Sequence, residues 1–214
     1  MTRAVAVVTG TDTGIGKTVF AAGLTYALRA EYWKPVQSGL DGQSDSQTVA
    51  QLAGVQPLPE AYRLQMPASP HLSAEAEGQE IDPAALALPQ GTGVLVVEAA
   101  GGLMVPLNRR VMFLDVIAGW QAPVILCART QLGTINHSLL SLAALRQAGC
   151  PVLGIAFIGD TNPAVEATIC DFGAVAHLGC LPFLAKLDQQ ALAQAFAGAI
   201  DLTTIRKGLS LDPA

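Results

Sequence analysis

The run Gly10-Thr11-Asp12-Thr13-Gly14-Ile15-Gly16-Lys17-Thr18 joins glycines, a lysine and a hydroxyl in an order suited to holding a polyanion. Glycine carries no Cβ, so backbone N–H groups beside it can turn toward phosphate oxygens, and a helix starting at Lys17 adds the partial positive charge of its N-terminus. In that arrangement Lys17 neutralises phosphate charge and Thr18 offers its hydroxyl to Mg2+. The strict phosphate-loop pattern is not met, because Thr11 occupies the first glycine position and Gly10 comes one residue early. A glycine-rich turn between strand and helix, with no ligand, is the alternative reading.

A magnesium ion at such a loop needs carboxylates, normally from a strand end or a nearby helix start. Glu98 closes the apolar run Val94-Leu95-Val96-Val97 and precedes Ala99-Ala100-Gly101-Gly102, small residues that let a phosphate approach the backbone. A carboxylate ending a buried strand is costly unless it is paired or holds a cation. Asp45, in Gly42-Gln43-Ser44-Asp45-Ser46, is a second candidate, although its local sequence reads first as a helix cap. Lys34, in Tyr32-Trp33-Lys34-Pro35-Val36, ends a short strand on the side where an α/β fold places its ligand crevice. There it stabilises a carboxylate-like intermediate or a transferring phosphoryl group, or else it is a surface charge snorkelling off a strand end.

A sheet must position these groups. Apolar runs of strand length recur at 4–9, 32–36, 94–98, 124–128, 152–158 and 174–178, without the polar alternation of a half-exposed strand. Such runs belong to parallel strands covered on both faces. Helical periodicity spans 17–30 and 135–148, and shorter helices are predicted from Asp45 to just before Gly54 and from Pro163 to Phe172. The class is α/β: one domain over residues 1–214, a mostly parallel sheet with helices on both faces. The segment 56–90, rich in Pro, Ala, Glu and Gln, reads as a long surface excursion.

With 51% apolar and 14% charged residues, the 214-residue chain can bury one substantial core. Its net charge of -5, with Lys and Arg scattered, argues against a nucleic-acid partner. Cys127, Cys150, Cys170 and Cys180 show no C-x-x-C spacing and read as reduced cytoplasmic thiols. No apolar run reaches the ~18 residues that span a bilayer, and no export leader is evident. Trp33, Trp120, Tyr26 and the methionines read as packing groups, and His177 as structural.

Four pieces in order are Gly10-Thr11-Asp12-Thr13 with Gly16-Lys17-Thr18, Lys34-Pro35-Val36-Gln37-Ser38-Gly39, Glu98 with Gly101-Gly102, and Leu132-Gly133-Thr134-Ile135-Asn136-His137. Together they resemble the dethiobiotin synthetase family of P-loop NTPases. Ser69-Pro70-His71 and Gly179-Cys180-Leu181-Pro182 extend the similarity over nearly the whole chain. The resemblance implies a P-loop NTPase fold and a ligase of biotin biosynthesis that closes a cyclic urea. An amine of 7,8-diaminononanoate captures CO2 as a carbamate. The carbamate takes the γ-phosphoryl group of ATP, or of another nucleoside triphosphate, as a carbamic-phosphoric anhydride, and the second amine closes the ring to dethiobiotin.

Carried over by position, the family implies that Gly14, Ile15, Gly16, Lys17, Thr18 and Val19 hold phosphates and that Thr18, Asp45 and Glu98 coordinate Mg2+. Lys34 is implied to be catalytic, with Lys17 beside it, and Thr11 and Ser38 to contact the diamine. Ala99, Ala100 and Gly101 then lie along the nucleotide, and Gly159, Asp160, Pro182, Phe183 and Leu184 stand at its base. A homodimer is also implied, with Gly133 and Asn136 on a helix end from the neighbouring subunit that receives the substrate carboxylate. Where the family pattern has Asn-Asp to read adenine, this chain has Gly159-Asp160, so weak base discrimination is expected. It also has Ala99 in place of a glycine, and Gly14 in place of an acidic residue found in some members. Amidotransferases of the cobyrinic acid type share the architecture but append a glutaminase domain. Partitioning and septum-site ATPases carry an extra lysine early in the loop, and the stretch from Gly10 to Gly16 has none.

Overall fold

A computed structural model describes residues 3–211. In chain order its elements are β1 (Ala4–Gly10), α1 (Lys17–Leu28), β2 (Glu31–Trp33), β3 (Val36–Ser38), α2 (Asp45–Ala53), β4 (Tyr62–Leu64), α3 (Pro70–Ala76), a 3₁₀ turn (Pro83–Leu86) and β5 (Val94–Glu98), then α4 (Phe113–Trp120), β6 (Val124–Ala128), α5 (Thr134–Gln147), β7 (Val152–Ile158), α6 (Pro163–Gly173), β8 (His177–Leu181), α7 (Gln189–Ala199) and α8 (Leu202–Gly208). Six strands form one parallel sheet in the order β2-β5-β1-β6-β7-β8, and β3 pairs with β4, also parallel, in a small second sheet. No described helix is long and apolar enough to cross a membrane.

Successive side chains of a strand point to opposite faces, and both faces here are covered. Ala6, Val8, Val96 and Ile125 pack with Phe20, Leu24, Leu192 and Ile205 of α1, α7 and α8. Val7, Leu95, Val97 and Val124 pack with Phe113, Ile117 and Leu145 of α4 and α5, while Leu126, Ile155 and Phe157 pack with Leu142 and Ile169 of α5 and α6. The parallel register sets Val8 beside Glu98 and Gly10 beside Cys127, so the carboxyl ends of the central strands converge on the phosphate loop.

The structure departs from the sequence expectations in identifiable places. The run 32–36 is not one strand: β2 ends at Trp33 in the main sheet and β3 begins at Val36 in the small one. Pro35, which has no N–H to donate, sits at the break, and its carbonyl accepts from Tyr62 N. The last strand runs over 177–181 rather than 174–178, because Ala174 takes a left-handed conformation (φ 42) as it ends α6. Arg29 (φ 50) likewise stops the first helix at Leu28.

Segment 56–90 lies mostly at the surface, as expected, but it is neither irregular nor detached from the core. It carries β4, α3 and the 3₁₀ turn, and Leu64, Ile81 and Leu86 are fully buried in the α4-side core. The helices α4, α7 and α8 were not anticipated. Trp33 and Trp120 do pack, 6.2 Å apart between ring centroids, but Tyr26, Met66, Met104 and Met112 are exposed rather than packed; Met1 lies outside the described residues. His177 is structural, its Nε2 lying 2.9 Å from Glu166 Oε2. All four cysteines are free thiols.

Candidate active site

The phosphate loop closes β1 and opens α1. Gly16 is the helix cap at φ 103, a conformation costly for any residue with a Cβ, and a methyl group there would come 2.8 Å from Ile158 Cγ2. No side chain caps α1 and no acidic residue lies in its first turn, so its first N–H groups remain free for an anion. Lys17 is buried and arches over the loop, its Nζ donating to Asp12 O at 2.6 Å. Burial pushes its pKa down, against the opposing charge of Glu98. The small residues after β5 press on the loop: a Cβ on Gly102 would stand 3.4 Å from Thr11 O, and one on Gly101 would stand 3.4 Å from Thr13 Oγ1.

Beside the loop, one hydroxyl, two carboxylates and a lysine meet. Thr18 Oγ1 lies 2.8 Å from Asp45 Oδ1 and 2.9 Å from Glu98 Oε1. Lys34 Nζ lies 2.8 Å from Asp45 Oδ2 and 3.2 Å from Glu98 Oε1. Lys34 is 3% exposed, so the snorkelling reading does not hold, and Glu98, 1% exposed, is paired with Lys34 and Tyr32 in the interior. Burial opposes charging Lys34, but Glu98 and Asp45 outweigh it and raise its pKa; Asp45, equally opposed by burial, is held low by Lys34. The capping reading of Asp45 also falls. Ser44 caps α2 in a reciprocal capping box with Gln47, which leaves the Asp45 carboxylate free to face Lys34 and Thr18.

These oxygens fit a magnesium ion on their own geometry. A threonine hydroxyl has one proton, yet two carboxylate oxygens stand within hydrogen-bond distance of it. One close oxygen pair is therefore left without a proton between its members, an arrangement that a hard divalent cation relieves. Mg2+ is commonly held by one or two carboxylates together with substrate phosphates rather than by a full protein cage. No cluster of three or more His, Cys, Asp or Glu side chains that could hold a metal ion occurs among the described residues; the oxygens that meet here are those of Asp45, Glu98 and Thr18.

Lys34 and Asp45 also line a cavity of about 420 Å³ with Thr13, Ser38, Pro70 and Gly101. Ser38 Oγ is buried there without a hydrogen-bond partner, a free polar group for a ligand. Thr11 lies apart from it, in a cavity of about 320 Å³ with Gly102, Met104 and Leu140. Gly133 and Asn136 line neither cavity. They sit exposed at the start of α5, where Gly133 (φ 94) caps the helix with no side-chain bond and no acidic residue in the first turn.

At the other end of the loop, Gly159 follows β7 at φ 113, and a Cβ there would come 2.8 Å from the Phe183 ring. Gly159 and Phe183 thus bring the loops after β7 and β8 into contact, with Asp160, Pro182 and Phe183 exposed and Leu184 partly so. Three residues about the site were not singled out from sequence. Tyr32 OH donates to Glu98 Oε2 at 2.7 Å. Gln37 accepts from Asp45 N at 3.1 Å and donates to Ser38 O, fixing the start of α2. Arg129 donates to Gly14 O in the phosphate loop.

The AAA domain family matches residues 5–191. The ATP-dependent dethiobiotin synthetase BioD of Agrobacterium fabrum is 61% identical over 92% of this chain and 94% of its own length. That of Brucella anthropi is 59% identical over the same shares. The chain belongs to the dethiobiotin synthetase family. Solved structures of other proteins share the fold at low identity. The cell division ATPase MinD of Pyrococcus furiosus superimposes with a TM-score of 0.56 at 13% identity, covering 97% of this chain and 99% of that one. Chloroplast FtsY of Physcomitrella patens gives 0.55 at 14%, covering 91% and 65%. These likenesses show the fold alone; the Lys34-Pro35-Val36-Gln37-Ser38-Gly39 segment supplies Lys34, Val36, Gln37 and Ser38 to the wall of the Ser38 cavity.

Proposed function

We propose that the chain forms dethiobiotin from 7,8-diaminononanoate, CO2 and ATP. The observation that carries this reading is the position of Lys34, which joins the phosphate-loop carboxylates on one side and lines the Ser38 cavity on the other. An amine attacks CO2 and loses a proton to give the carbamate. A carbamate oxygen takes the γ-phosphoryl group and displaces ADP, and the second amine then attacks the carbamoyl carbon and expels phosphate. This sequence needs alignment and charge neutralisation more than a protein nucleophile. Residues 14–19 hold the triphosphate through backbone N–H groups, Lys17 contacts its phosphates, and Lys34 stabilises charge growing on the carbamate and the transferring group. Thr18, Asp45 and Glu98 would hold Mg2+, which supplies neutralisation of the nucleotide phosphates. Ser38 orients the diamine, and Thr11 contacts it from the neighbouring cavity.

The active unit is a homodimer in this reading. Gly133 and Asn136 are exposed on an uncapped helix start, away from the Ser38 cavity of their own chain, which leaves that anion-binding end open to a partner's substrate carboxylate. The free thiols fit a reducing cytoplasm, and the net charge of -5 fits small-molecule partners rather than nucleic acid or a membrane. Incubation with diamine, bicarbonate, Mg2+ and ATP must yield dethiobiotin with stoichiometric phosphate; phosphate release without dethiobiotin rejects the proposal. Full turnover by a strictly monomeric species in analytical ultracentrifugation rejects the dimer.

A further inference from the structure

We propose that Tyr32 is a positioning residue for Glu98, presenting one carboxylate oxygen to the metal and withholding the other. The inference rests on the reading of Glu98 as a magnesium ligand. The two oxygens of Glu98 have different surroundings: Oε1 meets Thr18 and Lys34 at 2.9 and 3.2 Å, facing the phosphate loop, whereas Oε2 takes the Tyr32 hydroxyl at 2.7 Å. Tyr32 is fully buried, so the bond forms without competing water.

Sheet register produces this contact. Tyr32 stands beside Val96 in the parallel β2–β5 pair, and Glu98 is two residues farther along, about 6.6 Å. A tyrosine side chain spans that distance, and its ring fills the α1-side core on the way. A phenylalanine would fill the same space but leave Oε2 buried without a donor. The carboxylate would then be free to rotate and offer both oxygens. That freedom suits Ca2+, which often takes bidentate carboxylates, better than Mg2+, which demands tight octahedral geometry. Tyr32 therefore sets both the affinity of the site and its preference for the smaller ion.

The test compares the full-length protein with Tyr32→Phe and Glu98→Gln, reading Mn2+ binding by electron paramagnetic resonance in the presence of a non-hydrolysable ATP analogue. Tyr32→Phe is expected to weaken Mn2+ binding about tenfold, in the range found when groups supporting metal ligands are removed. It should also shift Ca2+-against-Mg2+ competition toward Ca2+, and raise the Mg2+ needed for half-maximal turnover while kcat at saturating Mg2+ stays near normal. Mn2+ affinity within twofold of the parent in Tyr32→Phe, with Glu98→Gln impaired, overturns the role of Tyr32 and leaves the metal assignment standing. Unchanged affinity in Glu98→Gln overturns both. Should Tyr32→Phe fold poorly, 3-fluorotyrosine placed at position 32 keeps ring and hydroxyl. Its fluorine resonance must then move when Mg2+ joins the bound analogue, and a stationary resonance counts against the proposal.

Discussion

Replacing Lys34 with methionine keeps most of the stem's volume and removes the charge. A surface lysine could be changed with little effect on stability, but Lys34 and Glu98 are 3% and 1% exposed, and the variant strands a carboxylate beyond the reach of water. Breaking a buried ion pair by deleting one partner typically costs about 3–5 kcal/mol. Two features lower that figure here. Tyr32 and Thr18 still donate to Glu98, and the Asp45 side chain is 35% exposed, so solvent screens its part of the interaction. A loss of about 2–3 kcal/mol remains, which in a chain of this size lowers Tm by about 4–12 °C. Mg2+ with a non-hydrolysable triphosphate should restore part of it, because the ion neutralises the same carboxylates. Turnover should fall by about 10²–10³, the usual effect of removing one group that stabilises transition-state charge. Differential scanning fluorimetry with and without Mg2+ and analogue, together with dethiobiotin formation at saturating substrates, reads both quantities. A kcat within about threefold of the parent would take Lys34 out of the chemistry, and an unchanged Tm without metal would refute the burial argument.

Gly16→Ala forces a Cβ into a φ 103 backbone 2.8 Å from Ile158, at a cost of about 1–3 kcal/mol. Calorimetry should show weakened binding of an ATP analogue, and unchanged affinity would mean that the loop relaxes freely. Because Gly159 carries no amide, CTP, GTP and UTP should support turnover within about tenfold of ATP in kcat/KM, a gap of ~1.4 kcal/mol; a hundredfold preference for ATP would reveal a group that reads adenine. Gly159→Asn, the obvious way to restore such a reader, is strained at φ 113 against Phe183. It should lower Tm even if Phe183, 62% exposed, swings aside, because φ 113 is costly for any residue with a Cβ, and an undiminished Tm would contradict that geometry. Burial pushes the Cys180 thiol up to about 11 and Cys127 higher still. At pH 8 only about one Cys180 in a thousand is thiolate, so iodoacetamide followed by mass spectrometry should find both sites slow to label, and rapid modification of either would show an open route to it.

Much of the site was legible because its parts are local. The glycines, Lys17 and Thr18 lie within one turn of chain, and Glu98 announces itself as a charge ending an apolar run. Lys34 and Ser38 were recognisable through the segment that contains them, and Asp45 only through the family, since its local sequence argues for a cap. Tyr32 was not legible: its hydroxyl meets Glu98 through the pairing of β2 with β5, and a three-residue strand carries no periodicity to show which way each side chain points. The anchoring of segment 56–90 to the core was hidden for a related reason. Its strand and helices are short, and Leu64, Ile81 and Leu86 find their apolar partners in distant parts of the chain. The break at Lys34-Pro35 was hidden because composition registers an apolar run on either side without registering which sheet each half joins.

The alternation of side chains along β1, β5 and β6 divides the interior into two compartments that meet only through backbone. Helices of ordinary diameter place the two layers about 10 Å to either side of the sheet, beyond the range at which core substitutions normally couple. Leu24→Ala on the α1 side and Ile117→Ala on the α4 side, both fully buried, should therefore add in their effects on stability to within about 0.5 kcal/mol. For protein engineering the compartments are separately editable. The one holding α1 carries the helix that opens at the phosphate loop and tolerates little rearrangement, whereas the far part of the α4 layer, around Ile117 and Leu145, can be repacked for heat resistance so long as Val36, Ala99 and Ala100, which share that layer at its nucleotide end, are left unchanged.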